Sequence, residues 1–158
     1  MYRRALVPLD GSTVAEAILP FVLEIAGPLD MDVVLLRVLE PIPPTVLEGA
    51  RHVAFEDVEG RRAQAEAYLA PIAQDLRSRG VRAETAVRRG EPAAEIVEGA
   101  REAGADLIAM TTHGRSGLRR LVFGSVAEAV LRAANVPVFL MRQTDRQVAA
   151  RTAWEAVR

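Results

Sequence analysis

Two short segments hold the residues whose types and spacing suit chemistry. The first is Pro8-Leu9-Asp10-Gly11-Ser12-Thr13, an apolar stretch that ends on a carboxylate, a glycine turn and two hydroxyls. The Asp10 carboxylate either accepts hydrogen bonds from a base or sugar or merely organises the turn, while Ser12 or Thr13 caps the helix that follows. The second segment runs from Met110-Thr111-Thr112-His113-Gly114-Arg115 through Arg119 and Arg120 to Gly124-Ser125-Val126. Gly114 lets backbone approach a ligand closely. Gly124-Ser125 opens a helix whose free amides and positive dipole end suit a phosphate, and the three arginines add charge of the same sign. A plainer reading of these residues is a capping box of Ser125 with Glu128 and a solvated arginine face. His113 reads as a hydrogen-bonding loop residue rather than a metal ligand.

Composition removes several alternatives. All 20 basic residues are arginine, so there is no lysine for a Walker A loop, a Schiff base or a two-component receiver site. No cysteine is present, which excludes disulfides, thiolate metal sites and cysteine nucleophiles. The two histidines, His52 and His113, do not form an HExxH pair, so a protein-held catalytic metal is not expected. A net charge of -1 with 26% charged and 4% aromatic residues gives no broadly basic nucleic-acid surface. The chain of 158 residues is 50% hydrophobic and long enough for one domain with its own core. No apolar run approaches the roughly 18 residues of a membrane span, and MYRRALVPLD is too short in apolar residues for a signal-peptide core. A cytoplasmic location is the expectation.

The elements that must position these residues alternate along the chain. Ala5–Leu9 reads as a buried strand, followed by a helix with apolar residues from Val14 to Ile25, a Thr13/Glu16 capping box and a bend at Pro20. Val33–Leu39 is a second strand, interrupted only by Arg37, and residues 40–54, with three prolines, read as a long loop. A helix around Ala65–Leu76 closes at Gly80. Val81–Arg89 alternates apolar with charged residues, as an edge strand does. Pro92 starts a third helix with Ala93, Ile96, Val97 and Ala100 inward. Asp106–Met110 is strand four, Thr112–Phe123 a loop, Ser125–Ala134 helix four and Val136–Met141 strand five. Such alternation predicts an α/β fold with a parallel sheet and helices on both faces, whose ligands bind beyond the carboxyl ends of the strands.

VPLDGS at the first strand, VRRGEP before the third helix and THGRSGLRRLVFGSVAEAVLRAANVPVFLMR near the end together resemble the universal stress protein family over nearly the whole chain. The resemblance implies an open, Rossmann-like, five-stranded parallel sheet in the order 3-2-1-4-5, similar to adenine nucleotide alpha hydrolases. It implies residues 1–142 as the domain, with 143–158 as a tail. It implies adenine near Asp10 and Val38 and phosphates in the loop from Gly114 to Ser125, with Pro8, Leu9, Ser12, Met110, Thr111, His113, Arg115, Gly124 and Val126 also at the nucleotide site. Nucleotide-binding members carry a glycine, two residues, a glycine, nine residues, then glycine and serine or threonine. Gly114 and Gly124-Ser125 agree, but Thr111 stands where the first glycine is expected. Its side chain either crowds the sugar or supplies a hydroxyl in place of a backbone contact.

Strand five, Val136 to Met141, is apolar and ends the implied order, so an exposed edge there calls for a partner subunit. The reading is a cytoplasmic ATP-binding stress or signalling homodimer joined through strand five, with a divalent cation such as magnesium as an optional companion of the nucleotide and a further protein partner unidentified. No nucleic acid or membrane is expected to bind. With no assured general base and no lysine, any hydrolysis is slow and the chain is not primarily an enzyme. The alternatives are a nucleotide-independent interaction module and an ATP-consuming phosphotransferase.

Overall fold

The computed structural model describes residues 1–41, 53–112 and 124–142, with side chains from residue 58 onward in the middle stretch. In chain order the elements are β1 (Arg4–Pro8), α1 (Thr13–Glu16), α2 (Leu19–Ala26), β2 (Asp32–Leu39), α3 (Val53–Ser78), β3 (Ala83–Arg89), α4 (Pro92–Glu102), β4 (Leu107–Thr112), α5 (Ser125–Ala133) and β5 (Val138–Arg142). The five strands form one parallel sheet in the order β3-β2-β1-β4-β5, the order the resemblance implied. Among the described residues no helix is long and apolar enough to cross a membrane.

Successive strand side chains point to opposite faces, and the core divides accordingly. Ala5, Val7, Val33, Leu35, Leu107 and Ala109 face α2 and α3, where they meet Ile18, Val22, Leu69, Ala73 and Leu76. Leu6, Val34, Leu36, Ile108 and Met110 face α4 and α5, where they meet Ala93, Ile96, Ala100, Ala127 and Val130. The central strands β1, β2 and β4 are apolar on both faces because helices cover both. Edge strand β3 leaves Glu84 exposed as its alternation predicts, but Thr85 and Arg89, on the face of Ala83 and Val87, are exposed as well.

The amino ends of the strands are pinned by charge. Asp106 accepts the Arg3 amide at 2.8 Å and the Arg4 amide at 3.0 Å. The Arg4 guanidinium reaches Asp32 at 3.0 Å, and Arg82 bridges Asp32 and Asp30. At the opposite, carboxyl ends the backbone turns away sharply. Gly11, at φ +87°, makes the turn after β1 in a conformation that costs other residues strain.

Several expectations are corrected. The helix after β1 is not one bent rod but two pieces: Pro20 offers no N–H to the Glu16 carbonyl, so the chain breaks at Ala17-Ile18. α2 then restarts with Pro20 in its first turn, where no N–H is needed. The cap of α1 is Ser12, whose hydroxyl accepts the Ala15 amide at 3.1 Å, not a Thr13/Glu16 box. α3 begins at Val53, inside the stretch read as loop, and residues 42–52 lie outside the described residues. β4 continues to Thr112 because Thr111 and Thr112 pair with Met141 and Arg142. β5 starts only at Val138, and its residues up to Met141 are half-buried, with Phe139 stacked on Phe21 at 4.2 Å.

Candidate functional site

The carboxyl ends of β1, β2 and β4 and the start of α5 enclose an open cleft of about 270 Å³. Pro8, Leu9 and Asp10 reach it from β1 and the turn behind it, Val38 from β2, Met110 and Thr111 from β4, and Gly124, Ser125 and Val126 from α5. Ser12 does not line the cleft; its amide bonds Asp10 at 2.8 Å and its hydroxyl caps α1, so it holds both in place. His113, Gly114 and Arg115 lie outside the described residues.

At the β1–β2 end the cleft carries Asp10, Arg37 and Glu40. Partial burial works to raise the Asp10 carboxyl, but hydrogen bonds from the Ser12 hydroxyl and amide and the charge of Arg37 outweigh it. They hold it below the ordinary carboxylate range, so Asp10 is an ionised acceptor at neutral pH. Arg37 and Glu40 were not among the residues singled out from the sequence. The signal for Arg37 was present: it is the single charge interrupting an otherwise apolar strand.

At the α5 end the cap residue is Gly124, which corrects the reading of Ser125 and Glu128 as a capping box: Ser125 is already the first helical residue and is exposed. The buried Thr112 hydroxyl accepts the Gly124 amide at 3.3 Å, joining the end of β4 to the start of α5. The Glu128 amide bonds the Gly124 carbonyl at 3.0 Å and begins the helical ladder. The amides of Ser125, Val126 and Ala127 precede that ladder and have no carbonyl four residues back within the helix to bond. All three residues line the cleft, and a side chain added at Gly124 would meet no described atom within 4 Å. Positive partial charge and open backbone thus coincide.

The wall between the two ends is α1, of which Val14 and Ala15 line the cleft. The Thr111 hydroxyl donates to the Ala15 carbonyl at 3.0 Å, and the Tyr68 hydroxyl donates to Glu16 at 2.9 Å. Burial, then the hydrogen bond and charge of Glu16, push the Tyr68 phenol well above its ordinary range, so it stays a donor throughout neutral and mildly alkaline pH. Among the described residues no group of three or more His, Cys, Asp or Glu is placed to hold a metal ion.

The model of the universal stress protein family matches residues 1–142. Universal stress protein MJ0531 of Methanocaldococcus jannaschii is 32% identical over 149 residues, spanning 93% of this chain and 86% of its own. The solved structure of MJ0577, from the same organism, superposes with a TM-score of 0.75 at 27% identity, covering 92% of this chain and 99% of that one. A family protein of Arabidopsis thaliana, solved with AMP bound, shares the fold at a TM-score of 0.66 and 20% identity, over 92% of this chain and 94% of its own. With the whole described sheet inside the matched residues, the chain belongs to the universal stress protein family.

Proposed function

We propose that the cleft binds an adenine nucleotide, ATP in the first instance, with magnesium carried on its phosphates. Pro8, Leu9, Asp10 and Val38 take the base end, Met110 and Thr111 the middle, and Gly124, Ser125 and Val126 the phosphates, joined by His113, Gly114 and Arg115. The observation that carries this reading is the polarity of one cleft: an ionised acceptor at one end and three helix-start amides at the other. A nucleotide has complementary polarity, with hydrogen-bond donors on base and sugar and anionic phosphates. The fold holds AMP in the Arabidopsis protein, which supports the class of ligand.

The chain serves as a cytoplasmic stress or signalling homodimer rather than a fast enzyme. Among the described residues β5 is a sheet edge without a further strand beside it, its residues from Val138 to Met141 are apolar and half-buried, and a second copy would cover it. Asp10 is at the base end, and no lysine exists to assist at the phosphates, so hydrolysis is slow at most.

Isothermal titration calorimetry with ATP, ADP, AMP and GTP tests the reading, alongside mass spectrometry of nucleotide released from the purified protein. Saturable binding of an adenine nucleotide in preference to GTP is expected. No adenine nucleotide binding at millimolar concentration would leave the nucleotide-independent interaction module in its place.

A further inference from the structure

Thr111 lines the cleft, and the proton of its hydroxyl is already committed. A carbonyl has no proton to give, so in the 3.0 Å contact with Ala15 the threonine must be the donor. What remains on the oxygen is lone-pair capacity. Donation to a carbonyl also polarises the oxygen and strengthens it as an acceptor. Toward the cleft Thr111 therefore accepts and does not donate, and it selects a ligand that brings a proton to that point.

The strand order fixes which part of a ligand that is. β2 and β1 carry Val38 and Asp10 at one end, the Ser125–Ala127 amides of α5 lie at the other, and β4 with Thr111 stands between. In a nucleotide the group between base and phosphates is the sugar, whose 2′ and 3′ hydroxyls are donors. We infer that Thr111 is a specificity-determining residue that accepts a hydrogen bond from a ribose hydroxyl and makes the cleft selective for ribonucleotides over deoxyribonucleotides. The inference rests on the adenine-nucleotide reading. It gives a physical reason for a side chain at a position where the family pattern has glycine: glycine has no acceptor to offer beyond its backbone.

The experiment is calorimetric titration of the full chain with ATP, 2′-deoxy-ATP and 3′-deoxy-ATP, for the wild type, Thr111→Val and Thr111→Ser. The wild type should bind ATP about three- to tenfold more tightly than at least one deoxy analogue, the range of one neutral hydrogen bond. Thr111→Val should bring that ratio close to one, and Thr111→Ser should retain it. A residue that only steadies α1 through Ala15 would weaken all three nucleotides alike in the valine variant. A ratio unchanged by Thr111→Val, or no discrimination by the wild type, overturns the inference while leaving adenine-nucleotide binding intact. Failure of the wild type to bind ATP overturns both. Should the valine variant not fold by circular dichroism, Thr111→Ala is read in the same way, and the wild-type ratio alone still decides against the inference if it is one.

Discussion

The buried hydroxyl of Thr112 accepts the amide of Gly124 at 3.3 Å, so the last residue of β4 positions the cap of α5 across 12 residues of chain. Replacing Thr112 by valine keeps the β-branched shape and removes the acceptor. The expected loss is about 1–2 kcal/mol, from an amide left without its partner. Urea denaturation measures this, and nucleotide affinity should fall with it because the Ser125–Ala127 amides lose their fixed direction.

Gly124→Val should separate folding from binding. Gly124 has φ -58°, which valine adopts, and the added carbon meets no described atom within 4 Å. The helix cap should weaken by no more than about 1 kcal/mol. Nucleotide affinity should fall on the order of tenfold or more, equivalent to about 1.4 kcal/mol or above. Thermal melting and calorimetric titration of the same preparation check both numbers; unchanged affinity in a folded variant would remove the phosphate assignment.

Acid should loosen the amino ends of the strands. Hydrogen bonds from Arg4 and then Arg82 hold the Asp32 carboxyl below its ordinary 3.8. Its contribution is fully present above that value and is lost as pH falls through the lowered folded value. Stability measured by urea unfolding should therefore decline as pH falls below about 4, and Asp32→Asn should be less stable at pH 7 yet show a shallower acid decline. Parallel declines in the two proteins would assign the acid sensitivity elsewhere.

The proposed dimer makes a prediction at one backbone amide. The Ile108 amide bonds the Pro137 carbonyl at 3.0 Å, and in a parallel ladder this turns the polar groups of 137 and 139 inward and those of Val138 and Leu140 outward. Val138 and Leu140 side chains pack on the α4–α5 core cluster, so charged replacements there would damage the fold itself. Leu140→Pro instead removes an outward N–H that a second copy would use, a place where edge strands tolerate proline. Sedimentation equilibrium should give the wild type about twice 17.1 kDa and the variant a single-chain mass. A wild type that sediments as one chain would exclude the dimer.

Much of the sheet was legible because its signals are local. The Arg82, Glu84 and Arg88 alternation marked an edge strand, and apolar runs marked the central ones. Thr111 and Thr112 were read at a loop boundary because they are polar; their place in β4 depends on Met141 and Arg142, residues far along the chain that pair beside them. The same holds for the cleft. Asp10 and Gly124 carry turn and cap signatures, whereas Ala15 lines the cleft through contacts with β4 that no spacing in its own segment announces. Pro20 predicted a disturbance, but whether a helix bends or splits depends on how the freed carbonyls and the next turn are accommodated, a tertiary matter.

The split at Pro20 leaves α1 as one helical turn with no fully buried residue, while α2 beside it buries Val22 and Ala26. Such a turn has little of the apolar burial that makes opening expensive, so its amides should exchange with solvent by local fluctuation and those of α2 only through larger excursions. Hydrogen exchange of the free protein should show two protection levels on either side of Ile18. A cleft occupant resting on Val14 and Ala15 should slow the first without moving the second, turning this short segment into an internal reporter of occupancy.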